Sequence, residues 1–524
     1  MKPYKTSAIA LLSMLAIAGC PSDDTDPGGD TDTSTDTDPT AGPTTSVDTT
    51  ETDTMSGTET GPDTDTDTDT DTDTDTSGSE AMVRVIHASP DAGAVDVYVS
   101  GDETPVLEGL AYGAASEYLS LPPGDLVFEL RPAGEPDADI LFTTDAITAA
   151  EGDSITAIAA GQIEGTEGAA FRVLALTDGF GDAGDGALLR VVHAGADAPA
   201  VDIDVDADGT AEAEGLAPYA DTGAEGLAVA AGAHQVAIGA GGETVTAFTT
   251  PELAAGDQLY VIATGLLGDL PRNEAGFSLL AVGTDGTFIR QNPRVYALHA
   301  GTDAPTVDVC SGGAALIEGV AYGALGAVQV PPGVHTLDIH ATGDEPCAGD
   351  AAASLDTPDL AAGEQYLAVA AGELTTDDGG DGPDPDFTVE FYTEEFTWDP
   401  AGTGAHVKVI HAASAPGVTA GELDDADQIA ETFFQTISFP NETGELTLDA
   451  GPHDVGIAES RGLVLPADPE YAFSVTAADG LAAWVVAHGS FDTTGDDQDF
   501  GMTAVVIGPT PWVALPLAAV ALAP

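Results

Sequence analysis

The sequence predicts an all-β fold: tandem antiparallel β-sandwich domains, Ig-like in pattern, after a disordered acidic linker. Three observations lead there. A histidine-centred segment returns four times, at His87, His193, His299 and His411, with spacings of 106, 106 and 112 residues. Within each copy apolar and polar residues alternate over short runs, the period of a strand. Finally, 63 glycines and 34 prolines in 524 residues supply frequent turns, and no stretch sustains a 3.6-residue apolar period with helix caps.

Taken in order, Met1 to Gly19 reads as a processing segment. Lys2 and Lys5 precede the apolar run Ala8 to Ala18, which is too short to span a bilayer as a helix. The run ends in Ile17-Ala18-Gly19-Cys20, which resembles the bacterial lipoprotein box. That resemblance implies a lipidated Cys20 as first residue of the mature chain; the competing reading is an ordinary secretory signal with a chance cysteine. Acyl chains contribute roughly 0.8 kcal/mol per buried methylene, enough for stable anchoring without a spanning helix. Pro21 follows, not the aspartate that resembles an inner-membrane retention signal, so the resemblance implies the outer membrane, possible surface exposure included.

Residues 20–80 then form the linker. Pro21 to Glu80 carries 19 acids and no base, and ends in Asp-Thr alternation from Asp63 to Thr76. Neither face of that alternation is apolar, so ordering it as a strand would have nothing to offset its entropy. Like charges extend it instead, as a spacer. Divalent-cation binding and O-glycosylation of the threonines are the other readings.

The modules follow at 81–180, 187–287, 293–398 and a divergent 405–510, with an apolar, Pro-rich tail at 511–524. They read as beads, joined by links at 179–186, 284–292 and 398–404. The histidine sits in Val83-Arg84-Val85-Ile86-His87-Ala88, Leu189-Arg190-Val191-Val192-His193-Ala194 and Val407-Lys408-Val409-Ile410-His411-Ala412. Asp91, Asp197 and Asp303 lie four residues beyond the first three histidines, and Asp96, Asp202 and Asp308 nine beyond. This pattern resembles the bacterial domain of unknown function 4397 family, whose modules begin V-x-x-x-H-A-x-x-D-A-x-x-V-D-V. The resemblance implies secreted or surface-anchored β-rich modules with no established activity. The fourth copy departs from it, with Ala415 and Ala420 at the aspartate positions.

Charge removes some functions. Ninety acids against 11 bases give a net charge of −79 and a pI near 4.1, which excludes unaided nucleic-acid binding. Residues 81–524 alone carry 71 acids and 9 bases, a net −62.

Candidate sites are few. A strand pairing could bring each His to the Asp nine residues on, but a His–Asp pair lacks a nucleophile, and no serine or cysteine recurs at a fixed offset. No third metal ligand recurs either. The favoured reading is structural, with the imidazole bridging loop carboxylates and holding the first turn. Asp204, Asp206, Asp208 and Gly209 match the first half of an EF-hand calcium loop, but Gly215 stands at the twelfth position, and Asp208-Gly209 also reads as a hairpin turn. Any calcium here is therefore expected in a sandwich loop. Acidic loops at 377–386 and 492–499 read equally as binding loops or neutral surface. Cys310 and Cys347, the only cysteines besides Cys20, are expected to form a bridge worth about 4 kcal/mol, against the alternative of unrelated thiols. Gly179 to Gly184 fits G-x-G-x-x-G but precedes a strand and is flanked by aspartates, so no dinucleotide is expected.

The function these features support is a noncatalytic cell-envelope lipoprotein acting in surface adhesion, ligand display or scaffolding. Its expected partners are the membrane, through the N-terminal lipid, and an extracellular protein or glycan. No cofactor is expected, calcium excepted. The second reading is a calcium-dependent glycan- or polymer-binding protein, and the third a hydrolase.

Overall fold

The computed structural model describes residues 80–166, 168–267, 276–374, 385–397, 399–491, 498–508 and 511–519. Cys20, residues 21–79 of the linker, and residues 377–384 and 492–497 of the two acidic loops lie outside these. The described residues are all-β, with strands and turns and no α-helix.

Each module is two sheets face to face. The first strands, Ala81–His87, Gly186–His193, Arg294–Gly301 and Ala405–His411, carry the repeated histidines. Each pairs with a late strand: Ser154–Ala160, Gln258–Thr264, Gln365–Gly372 or Leu481–His488. These four pairs are parallel, whereas nearly all other ladders are antiparallel. Alternation alone does not distinguish the two, because both have period 2. Closing strands Arg172–Thr177, Ser278–Val282, Thr388–Thr393 and Gly501–Val506 complete this sheet. The second strands, Val95–Val99, Val201–Asp204, Val307–Ser311 and Val418–Leu423, lie in the opposing sheet.

The modules are not beads. On the first strand Val83 and Val85 face their own core, while Ile86 and Ala88 face the neighbouring module. Ile86, Ala88, Ile158 and Ala160 of the first module pack on Val192, Tyr260, Ile262 and Leu280 of the second. The third and fourth repeat this: Tyr296, Leu298, Leu367 and Val369 meet Ile410, Trp484, Val486 and Val505. Burial on both faces explains why these strands read as near-continuous apolar runs. The chain is thus two pairs of modules, each with an inter-module apolar layer of its own.

Two boundaries shift accordingly. The segment 284–292, expected as a link, contains the strand Gly286–Ile289, which pairs with Ser278–Val282 and extends the second module beyond residue 287. The expected tail contains Val513–Pro516, paired with Gly501–Val506, and Ala518–Ala519, paired with Tyr471–Ala477. Within the described residues 511–519 the segment is therefore part of the fourth module, and 520–524 lie outside the described residues. The second and fourth modules therefore each have a fifth strand on the histidine-bearing sheet. That strand or its approach sends an aromatic side chain to the partner module. Phe288 packs on Tyr112, with centroids 5.1 Å apart, and Trp512 stacks on Tyr296 at 4.2 Å and 12°.

Scarce bases occupy these junctions. The Arg84 guanidinium lies over Tyr260 and bonds the Gly283 carbonyl at 2.6 Å. Arg172 lies over Tyr219, at 3.8 Å from the ring centroid. Arg190 pairs with Asp221 and donates to the Thr177 carbonyl. Between the pairs, Arg294 donates to the Val245 carbonyl, and Gln329 bonds the amide of Ala247 and the hydroxyl of Thr246.

Candidate functional site

The repeated motif was the natural place to look for chemistry. His87, His193, His299 and His411 are buried on the inner face of the first strand. Their Nε2 atoms lie 3.0, 2.8, 2.8 and 3.0 Å from the carbonyl oxygens of Gly93, Pro199, Pro305 and Pro416. A carbonyl only accepts, so Nε2 carries the hydrogen. At His87 Nδ1 in turn lies 3.3 Å from the Ser89 amide, which makes it an acceptor and that ring neutral. Burial pulls all four imidazoles below the usual histidine pKa, with the carbonyl bond partly opposing it.

The expected approach of His to Asp does not occur. First and second strands belong to different sheets, so no ladder brings His87 to Asp96, His193 to Asp202 or His299 to Asp308. Nor do the imidazoles bridge loop carboxylates; each holds the loop through a backbone carbonyl. The aspartates have separate tasks. Asp91 accepts from the amides of Ile163 and Glu164, Asp197 from Leu267 and Asp303 from Leu374, all just beyond the late strands. Asp96, Asp202 and Asp308 accept from the amides of Gly109, Gly215 and Gly319. Those glycines have φ of 66°, 62° and 65°, a left-handed conformation that glycine adopts without steric cost. The motif is a set of ties between the first loop, the late strand and the second-strand hairpin.

A further tie has no visible signature in the motif. A Cβ at Gly161, Gly372 or Gly489 would come within 2.5, 2.5 and 2.2 Å of the carbonyl oxygens of Ala170, Asp386 and Asp499. The closing segment therefore crosses directly over the end of the late strand. Only the recurrence of glycine after each late strand signals it in the sequence.

Sequence reasoning also missed two polar clusters at the module junctions, the first half-buried and the second largely buried. Asp178 accepts from Thr156, Tyr260 and Tyr118 at 2.7, 2.6 and 2.7 Å. Burial, reinforced by the Asp178 carboxylate, raises the Tyr260 phenol. In the other pair, Tyr322 Oη lies 2.7 Å from His488 Nδ1, and His488 Nε2 lies 2.9 Å from Thr503 Oγ1. Burial, with the nearby His299, pushes His488 down to about 4. These residues are far apart in sequence and meet only because the outer sheet faces meet.

At the end of the second strand Asp204, Asp206 and Asp208 each place a carboxylate oxygen within 4.8 Å of the others. Asp204 Oδ2 accepts from Gly209, Asp206 Oδ1 from Asp208, and Asp208 Oδ1 from Thr210. The hairpin is therefore real and the EF-hand register is not, since no helix flanks it. Cys310, at the corresponding place in the third module, is joined to Cys347 with Cα atoms 6.0 Å apart. Between the sheets of the fourth module lies an apolar cavity of about 250 Å³, lined by Val407, Phe433, Phe434, Leu446, Val455 and Met502 among others. No titratable side chain lines it.

Comparison with known proteins accords with the repeat. The family model described as Domain of unknown function (DUF4397) matches residues 81–204, 187–281 and 293–421, more than half of the chain. The chain belongs to the DUF4397 family. The DUF4397 matches take in the first three modules and run into the fourth only through its first two strands, where Ala415 and Ala420 replace the aspartates. No curated protein matches the chain. Among solved structures, one titled "The Bacillus anthracis TIE protein" is similar at 9% identity, covering 79% of this chain and 68% of that one, with a TM-score of 0.13. At that score the likeness bears on neither fold nor function.

Proposed function

We propose that this DUF4397 protein is a noncatalytic cell-envelope lipoprotein whose modules serve surface adhesion, ligand display or scaffolding. One observation carries the noncatalytic part. The repeated imidazoles are committed through Nε2 to backbone carbonyls, and the repeated aspartates to backbone amides. A general base needs a free acceptor within reach of a substrate proton, and a triad needs a nucleophile beside it. Nε2 is spent on holding the loop, and Nδ1, the remaining acceptor, is buried with its ring away from any substrate, so the imidazoles supply neither.

The anchoring part rests on the sequence Ile17-Ala18-Gly19-Cys20 after a short apolar run. A lipid on Cys20 and an acidic spacer would hold the modules off an outer-membrane surface. An extracellular protein or a glycan is the class of partner this placement offers, and nucleic acid is disfavoured by the net charge. Cell fractionation tests the anchor: Cys20→Ala should move the protein from membrane to soluble fraction, and retention on the membrane would reject lipidation. Binding of the full-length chain to a panel of glycans and envelope proteins tests the rest. Saturable binding without turnover supports display; turnover abolished by His87→Gln or His299→Gln would overturn it.

A further inference from the structure

We infer that the hairpin Asp204–Gly209 of the second module is a calcium site, a role independent of whether the protein displays a ligand. Three carboxylates with oxygens within 4.8 Å of one another repel unless a cation lies among them. Among the described residues no basic side chain forms an ion pair with any of the three. That alone would describe many acidic turns.

The second observation is Asp204 itself. It is only 8% exposed, yet its Oδ1 is buried with no hydrogen-bond donor. A carboxylate oxygen removed from water without a partner is costly, by the same physics that pairs or coordinates nearly all buried charges. Backbone amides already serve Oδ2 of Asp204 and one oxygen each of Asp206 and Asp208. They leave the remaining oxygens for a hard cation.

The other modules show what the position is for. In the first module Tyr98 stands there, and Arg131 lies over its ring at 5.1 Å, fastening the end of the second strand to the next strand of its sheet. In the third module Cys310 stands there, and the disulfide to Cys347 fastens the same corner to the following loop. The second module has no arginine and no cysteine at this corner. A cation bridging Asp204 on the strand to Asp206 and Asp208 on the turn would be its fastening. Calcium accepts six to eight oxygens in irregular geometry, so three carboxylates completed by water suit it, whereas magnesium requires a near-ideal octahedron. With Asp206 and Asp208 exposed, the affinity expected is that of extracellular modules, on the order of 0.1–1 mM.

Isothermal titration of the full-length chain with calcium chloride tests this, in about 0.15 M salt to screen the general acidity. The joint substitution Asp206→Asn and Asp208→Asn changes only exposed side chains and should leave folding intact. We expect it to remove one saturable site, or to weaken that site by at least about tenfold. Asp204→Asn, nearly isosteric at the buried oxygen, should do the same. Unchanged stoichiometry and affinity in the double variant, or no saturable binding in the parent chain, would overturn the assignment.

Discussion

His87 illustrates how a residue that invites a catalytic story can be an architectural one. Its ring reaches the Gly93 carbonyl six residues on, His193 and His299 do likewise, and His411 reaches Pro416 five residues on. The recurrence was legible in the sequence; the partner was not, because a backbone carbonyl has no side-chain signature. His488 carries the larger consequence for pH. Its pKa is about 4 in the folded chain and 6.5 ordinarily, because burial and the neighbouring His299 disfavour its charge. Between those values the unfolded chain binds more protons, so stability is full above pH 6.5 and is lost as pH falls towards 4. His87, His193, His299 and His411 act in the same direction, while half-buried His453, raised chiefly by the Asp449 carbonyl, opposes them. At pH 5 the His488 contribution is a loss of about 2 kcal/mol. Urea denaturation at pH 7 and 5 should therefore show a lower midpoint at pH 5, and His488→Gln should reduce the difference. Parallel behaviour of the variant and parent would refute the assignment.

At the scale of elements, the strands were readable and some of their partners were not. The run Met502 to Ile507 reads as a closing strand, and the strand observed there is Gly501–Val506. Its neighbour Val513–Pro516 sits among Pro509, Pro511 and Pro516, which argue against a central strand. It is an edge strand, where proline is tolerated. Trp512, just before it, is 4% exposed and lies between Tyr296 and Trp484. Trp512→Ala should cost about 3 kcal/mol, the usual range for emptying a buried aromatic site. The loss should fall on the third and fourth modules together, since the ring touches both. Hydrogen exchange followed by mass spectrometry checks this: faster exchange across Arg294–Gly301 as well as Leu481–His488 is expected. Faster exchange in the fourth module alone would show that Trp512 does not couple the two.

Across the whole molecule the unit of stability is the module pair. Each pair buries an apolar layer between two histidine-bearing sheets, and inter-module contacts then couple unfolding. Calorimetry of the full-length chain should resolve fewer transitions than modules, with the first and second melting together. Four independent transitions would contradict the pairing. Against this cohesion stand 71 acids and only 9 bases in residues 81–524. With Arg84, Arg172 and Arg190 held at the junction of the first pair, most carboxylates have no cation to meet. The melting temperature should therefore rise with sodium chloride as screening shortens the range of repulsion.

What the sequence by itself determined is local and periodic: four copies, all-β strands, turns at glycine and proline, and a surplus of acid. These follow from alternation and composition, which act between near neighbours. Tertiary structure decided which strands run parallel, where His and Asp find their bonds, and that modules pair. The parallel strands and the module pairs are meetings of residues distant in the chain, such as Tyr322 with His488 or Ile86 with Ile262. The His bonds, by contrast, are short-range but end on backbone carbonyls that leave no side-chain signature. The second apolar face of Val-Arg-Val-Ile-His-Ala marks burial on both sides. Only the folded arrangement shows that a sister module covers it.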